Sequence, residues 1–230
     1  MTFEAALRAT EILLAFAFIQ QSGEHLARPM DGRWLFGIRL AASLVLLSGL
    51  FTIGSLAILA VISLIMLHRF NGPYNGGSDR MSILILWCLL IAHAVPVQSV
   101  KEIAIGYLAL QTTLSYFISG QVKLVNPQWR SGRALCEVFD FSAYPVSENL
   151  RSLAQRPTLC RTISWAVIAF EVLFPLALIS QASLVAALVM AAAFHLANAF
   201  LFGLNRFFWI WIAAYPSLLW FQTALLDVLN

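Results

Sequence analysis

Long apolar runs, rather than strand-like alternation, dominate the chain. Five of them, 80–97, 102–122, 162–180, 183–202 and 206–226, each supply about the 20 mostly apolar residues that one membrane crossing needs. The run 34–68 is too long for one crossing and carries Ser48-Gly49-Leu50-Phe51-Thr52-Ile53-Gly54. It reads as a tight hairpin of two crossings, 34–50 and 53–68. Residues 4–21 form a further candidate, interrupted by Arg8 and Glu11. The pattern predicts an all-α, polytopic membrane bundle of about eight helices, or seven if the first lies in the interface.

Three polar segments separate the runs. Residues 22–33 and 69–79 are short, and Ser78 or Asp79 is placed to cap a helix beginning near Arg80. Residues 123–161 are long and charged, with Pro127, Trp129, Pro145 and Pro157. No repeat, low-complexity tract or composition shift marks a second domain, so residues 1–230 read as one integral membrane domain. Alternating the eight crossings gathers Arg28, Arg33, Arg69, Arg80, Arg130, Arg133, Arg151, Arg156, Arg161 and Arg206 on one side. Lys101 and Arg8 fall on the other. Basic residues favour cytoplasmic loops, which makes 123–161 a cytoplasmic-side loop and puts both termini outside.

Composition closes off the soluble alternatives. Sixty per cent of the 230 residues are apolar and 11% are charged, and the mean hydropathy is +0.82. A soluble globule of this size cannot hide so much apolar surface, so the solvent is lipid. The formal net charge of +3 comes with no basic run or face, which argues against a nucleic-acid partner. Cys88, Cys136 and Cys160 show neither a CxxC pair nor metal spacing. The first segment lacks a basic start and a small-residue cleavage site, and is expected to be a retained helix.

Charges inside crossings cost about 2.5–3.5 kcal/mol each at a helix centre, so each needs a partner or a task. Arg8 and Glu11 are three apart and can pair on one face. Arg39 lies about a turn and a half into its crossing and is expected to snorkel to the surface. His93, beside Pro96, reads as interfacial. Glu171 sits mid-crossing, four residues before Pro175, whose missing N–H frees a carbonyl one turn back and would make a polar notch. His195 and Asn198 share a face of the next crossing, where an interhelical hydrogen bond is the plainer role.

Lys123 closes the crossing 102–122. Snorkelling is its plain reading; desolvation, which disfavours the ammonium form, is the functional one. Ser119, Gly120 and Gln121 would permit a close helix approach and hold the amine, with Tyr116 and Phe117 keeping water away. The last crossing carries Phe207, Phe208, Trp209, Trp211, Tyr215, Trp220 and Phe221. Aromatic belts at the membrane surfaces account for most of these, and a flat cleft for a quinone-like ring is the other use.

The string Tyr116-Phe117-Ile118-Ser119-Gly120-Gln121-Val122-Lys123-Leu124, followed by Trp129 and Gly132, resembles the helix end of the HTTM family, the horizontally transferred transmembrane domain. That family includes the membrane part of vitamin K-dependent gamma-carboxylase. Gly49-Leu50-Phe51-Thr52 in an early hairpin, Glu171 before Pro175, and Phe194-His195 before an aromatic last crossing fit the wider pattern. The resemblance implies that Lys123 holds the position of the base that starts hydroquinone oxygenation in the carboxylase. Glutamate carboxylation itself is not expected. The chain has no soluble domain to bind a propeptide, no convincing match to the carboxylase's other histidine region, and a lysine on the cytoplasmic side.

Two functions follow as expectations. One is an enzyme acting on a lipophilic, quinone-like substrate or on a peptide at the membrane, with the cofactor unknown. Lys123 is then the base, Glu171 and His195 orient or relay a proton, and Tyr116, Trp129 and Asn198 line the cleft. The other is a non-catalytic subunit that binds a partner membrane protein, with Lys123 as an anchor. A transporter fits less well, since no inverted repeat or paired broken helices are present. A bacterial inner membrane is the expected location.

Overall fold

The computed structural model describes residues 1–27, 32–69, 76–141 and 148–229. Arg28, the loop residues 70–75 and Pro145 lie outside them. Among the described residues the chain is helical and contains no strand. Long helices occupy the ranges read from hydropathy: α1 (Phe3–Leu26), α2 (Arg33–Ser48), α3 (Thr52–Arg69), α4 (Gly76–Ala94) and α5 (Gln98–Val125). The long charged segment is not a loop throughout. It folds into short helices α6 (Pro127–Arg130), α7 (Arg133–Phe141) and α8 (Glu148–Arg151), then a 3-10 turn, Ser152–Gln155. The chain ends with α9 (Pro157–Leu173), α10 (Gln181–Phe202) and α11 (Asn205–Leu229).

Among the described residues, five helical segments are long and apolar enough to cross a membrane: Thr52–Arg69, Gly77–Ala94, Pro157–Ile179, Gln181–Phe202 and Asn205–Val228. In Pro157–Ile179 and Gln181–Phe202 only 28% of the most apolar window is buried. Apolar helices left so bare need lipid around them, and the protein is a multi-pass membrane protein. Helices α1, α2 and α5 are not among the five; α2 has 16 residues, and α5 interrupts its apolar run with Gln111, Thr112, Thr113 and Ser115.

Two compact units make up the chain, Met1–Leu110 with Asn205–Asn230, and Gln111–Leu204. In the first, α1 packs along α2 and α11, and α3 packs along α2 and α4. The hairpin predicted near residues 48–54 is present. Gly49 at φ 77° ends α2 in the left-handed region, which glycine enters without penalty, and Phe51 at φ 48° completes the reversal. Helix α4 begins at Gly76, so Ser78 and Asp79 lie inside its first turn instead of capping a helix that starts at Arg80. Asp79 still suits the positive end of the helix.

Arg39 overturns the snorkelling expectation. It is 2% exposed, lies 4.0 Å over the Phe18 ring and donates from Nη1 to Met66 Sδ at 3.3 Å, while its Nε has no partner. The α2 face that carries it is packed against α1 and α3, which leaves the side chain no path outward. The aromatic residues of α11 also differ from a belt. Trp211 and Tyr215 are buried and none of the other five is exposed. Trp220 meets Phe3 edge-on at 5.1 Å, so these rings pack within the first unit.

In the second unit α7 presents Leu135 and Phe139 to Cys160, with Leu201 and Phe202 against them. Helix α10 starts with a reciprocal cap between Ser180 and Ser183 and stops at Gly203, φ 69°. Pro175, which has no N–H to offer, converts the end of α9 into a 3-10 turn, Phe174–Ile179.

Candidate functional site

Helix α5 places Tyr116, Ser119 and Lys123 at spacings of three and four, which puts them along one face. That face meets α9 at an unusually short distance because residue 120 is glycine. A Cβ built there would lie 2.7 Å from the Val172 backbone nitrogen and 2.9 Å from Glu171 Cβ. The helices can therefore approach until a lysine one turn on reaches Glu171.

Lys123 does not escape into water. Its Nζ donates to Glu171 Oε1 at 2.7 Å, Glu171 Oε2 at 2.5 Å and Ser119 Oγ at 2.6 Å. An ammonium has three donors, and these bonds use all of them. The Ser119 hydroxyl in turn donates a hydrogen bond to Glu171 Oε1 at 3.2 Å. The side chains are 14% and 4% exposed, so the pair lies in a setting where water competes little for it. Trp129 stands with its ring centroid 5.3 Å from Nζ, within cation–π range.

The position of Trp129 is itself built. Asn126 caps α6 by accepting from the Gln128 N–H at 2.9 Å, and Pro127 occupies the first turn. Ser164 Oγ donates to the Trp129 carbonyl at 2.5 Å, tying α6 to α9. Gly132, φ +82°, then turns the chain so close to α9 that a Cβ would sit 2.5 Å from the Arg161 nitrogen.

One turn back along α5, Tyr116 is buried and shares a 2.9 Å hydrogen bond between its hydroxyl and His195 Nε2. Its ring stacks on Phe174 at 4.2 Å and meets Phe170 edge-on at 5.9 Å. The six residues singled out from sequence thus resolve into two pairs and two flanking residues. Lys123 joins Glu171, Tyr116 joins His195, Trp129 covers the amine, and Asn198 is half-buried with its main-chain carbonyl capping the end of α10. Ser119 and Gly120 hold and admit the pair as expected, whereas Gln121 is exposed.

The HTTM domain model matches residues 89–223, more than half of the chain. The chain belongs to the HTTM family. No curated protein and no solved structure matches it. The matched stretch of this HTTM protein contains both pairs, Trp129 and Asn198, and it ends within α11.

Phe170 and Phe174 were not anticipated as neighbours of Tyr116. The available signal was their spacing, since residues 170 and 174 are one turn apart and flank Glu171.

Proposed function

We propose that this HTTM-family protein is a membrane-embedded acid–base enzyme, acting on a lipophilic, hydroquinone-like substrate or on a peptide held at the membrane. The reading rests on one observation, a shielded lysine bonded to both oxygens of a buried glutamate. In that arrangement all three Nζ donors are engaged and the nitrogen offers no lone pair to a substrate. Transfer of one proton from Nζ to Glu171 gives a neutral amine beside a carboxylic acid. The transfer leaves the net charge of the pair unchanged. The freed amine can then take an acidic O–H proton from a substrate lying under Trp129, and Glu171 holds the first proton until turnover.

Tyr116 and His195 make the second half of the relay, with the phenol positioned by its hydrogen bond and ring stack. Asn198 is assigned to substrate contact on the same helix as His195. Eight crossings, a cytoplasmic position for the arginine-rich ends and a bacterial inner membrane complete the proposal.

Mass spectrometry of lipid- and quinone-soluble extracts tests it, on membranes carrying the protein or Lys123→Met at matched insertion. One lipophilic species is expected to accumulate in the variant and to be consumed by the parent. Identical extracts, with cellular function intact in the variant, would end the catalytic reading.

A second reading is a non-catalytic subunit. It is favoured by the bare apolar side chains of the second unit, including Ile179 at 70% and Phe200 at 74% exposure. On that reading the Lys123–Glu171 pair joins α5 to α9, and Lys123→Met loses assembly and function together while a partner polypeptide fails to copurify.

A further inference from the structure

The first unit contains a polar cleft of about 260 Å3 that the proposed chemistry does not use. Glu4, Leu7, Arg8 and Glu11 line it from one face of α1, Gly49 and Thr52 from the α2–α3 turn, and His93 from the end of α4. Its floor is Glu11, 3% exposed, which takes Arg8 Nη1 at 2.7 Å on one oxygen and the His93 Nε2 on the other. Arg8 also donates to the Leu46 carbonyl at 3.1 Å and the Leu47 carbonyl at 2.6 Å, capping the end of α2.

Of the five N–H donors on a guanidinium, these bonds use three. Two donors on a side chain that is 37% exposed therefore remain for an anion. Glu4, exposed and one turn from Arg8, makes no ion pair among the described residues. The cleft thus offers two unspent N–H donors on a guanidinium already paired with Glu11, and one carboxylate, Glu4, without an ion pair among the described residues. Its rim is apolar: between Gly49 and Thr52, Leu50 is 70% and Phe51 76% exposed, with Ile53 beside them at 49%.

We propose that this cleft seats the headgroup of an aminophospholipid, with the phosphodiester on Arg8, the primary ammonium on Glu4, and the acyl chains along Leu50, Phe51 and Ile53. The apolar rim selects a lipid over a water-soluble zwitterion, because such side chains in a membrane-spanning chain lie against hydrocarbon. The size suits a headgroup, being somewhat below that of a site enclosing a whole drug-sized molecule.

Native mass spectrometry of the detergent-solubilised full chain tests the assignment, using phosphatidylethanolamine and phosphatidylglycerol with identical acyl chains. Glu4→Gln is the informative variant, since Glu4 holds no structural bond, whereas Arg8 also caps α2. The intact protein should retain phosphatidylethanolamine about three- to fivefold better than phosphatidylglycerol, the worth of one partly exposed ion pair. Glu4→Gln should bring the ratio close to one, with no more than the small loss of thermal stability that removing a charge from the first turn of α1 brings. Equal retention of both lipids by the intact protein, or an unchanged preference in Glu4→Gln, overturns the proposal. Displacement of the lipid by equimolar free phosphoethanolamine overturns the lipid as occupant.

Discussion

Both units bury a glutamate against a cation, and they do so in different ways. In the second unit Glu171 gives both oxygens to one ammonium, and the hydroxyl that shares the pair lies one turn away on the lysine's own helix. In the first, Glu11 divides its oxygens between Arg8 on its own helix and His93 on another, while Arg8 is also committed to two carbonyls. The Lys123–Glu171 arrangement can exchange a proton within the pair without breaking a helix cap or a turn. The Glu11 arrangement is tied into a helix cap and a turn, so moving its charge would loosen three elements at once. That contrast is why the catalytic proposal falls on Lys123 and the binding proposal on the cleft at Arg8.

The contrast can be broken by mutation, beginning with its heaviest element. Glu171→Ala leaves the Lys123 ammonium buried without a counter-charge and should cost about 3 kcal/mol, while Lys123→Met combined with Glu171→Met should be close to neutral. Thermal unfolding in detergent reads both, and equal losses in the two would show that the pair is not what matters there. Arg8→Ala removes a cap and half of the Glu11 pairing, for about 2 kcal/mol in the same assay. A loss confined to the second unit's signals would contradict that assignment.

Gly120→Ala probes the helix approach that makes the pair possible. With a Cβ 2.7 Å from backbone, α5 and α9 must separate, at about 1–3 kcal/mol. The Lys123–Glu171 distance should lengthen with them, which double electron–electron resonance between labels on the two helices would detect. Tyr116→Phe removes one buried hydrogen bond and should cost about 1 kcal/mol, leaving the ring stack on Phe174 intact. Smallest is Arg39→Met. Among the described residues its guanidinium donates only to a thioether and lies over a ring, with Asp79 near enough to attract it but not bonded to it, so this change should be close to neutral.

Much of this was legible in the chain. The Arg8–Glu11 spacing of three foretold their pairing, the Gly49 turn foretold the hairpin, and Ser119-Gly120 before Lys123 foretold a held amine. Arg39 misled because its position along α2 says nothing about which face α1 and α3 would cover. His93 does lie in the last turn of α4, near the helix end expected from Pro96, but its partner Glu11, 82 positions away in sequence, could not be read from that position. The segment 123–161 looked like a loop because charge and proline mask the short amphipathic α7, whose apolar face is covered by Cys160 about twenty residues on and by the half-buried Leu201 and Phe202 about sixty residues on.

The sequence by itself determined that the solvent is lipid, where the helices run and which polar groups had to find partners, because hydropathy and the cost of a lone charge act locally. Apart from the local Arg8–Glu11 pair, the tertiary structure decided who those partners are. Lys123 and Glu171 are 48 residues apart and Tyr116 and His195 are 79. Only the packing of helices, set by a missing Cβ at Gly120 and the rings around Tyr116, brings such groups within bonding distance.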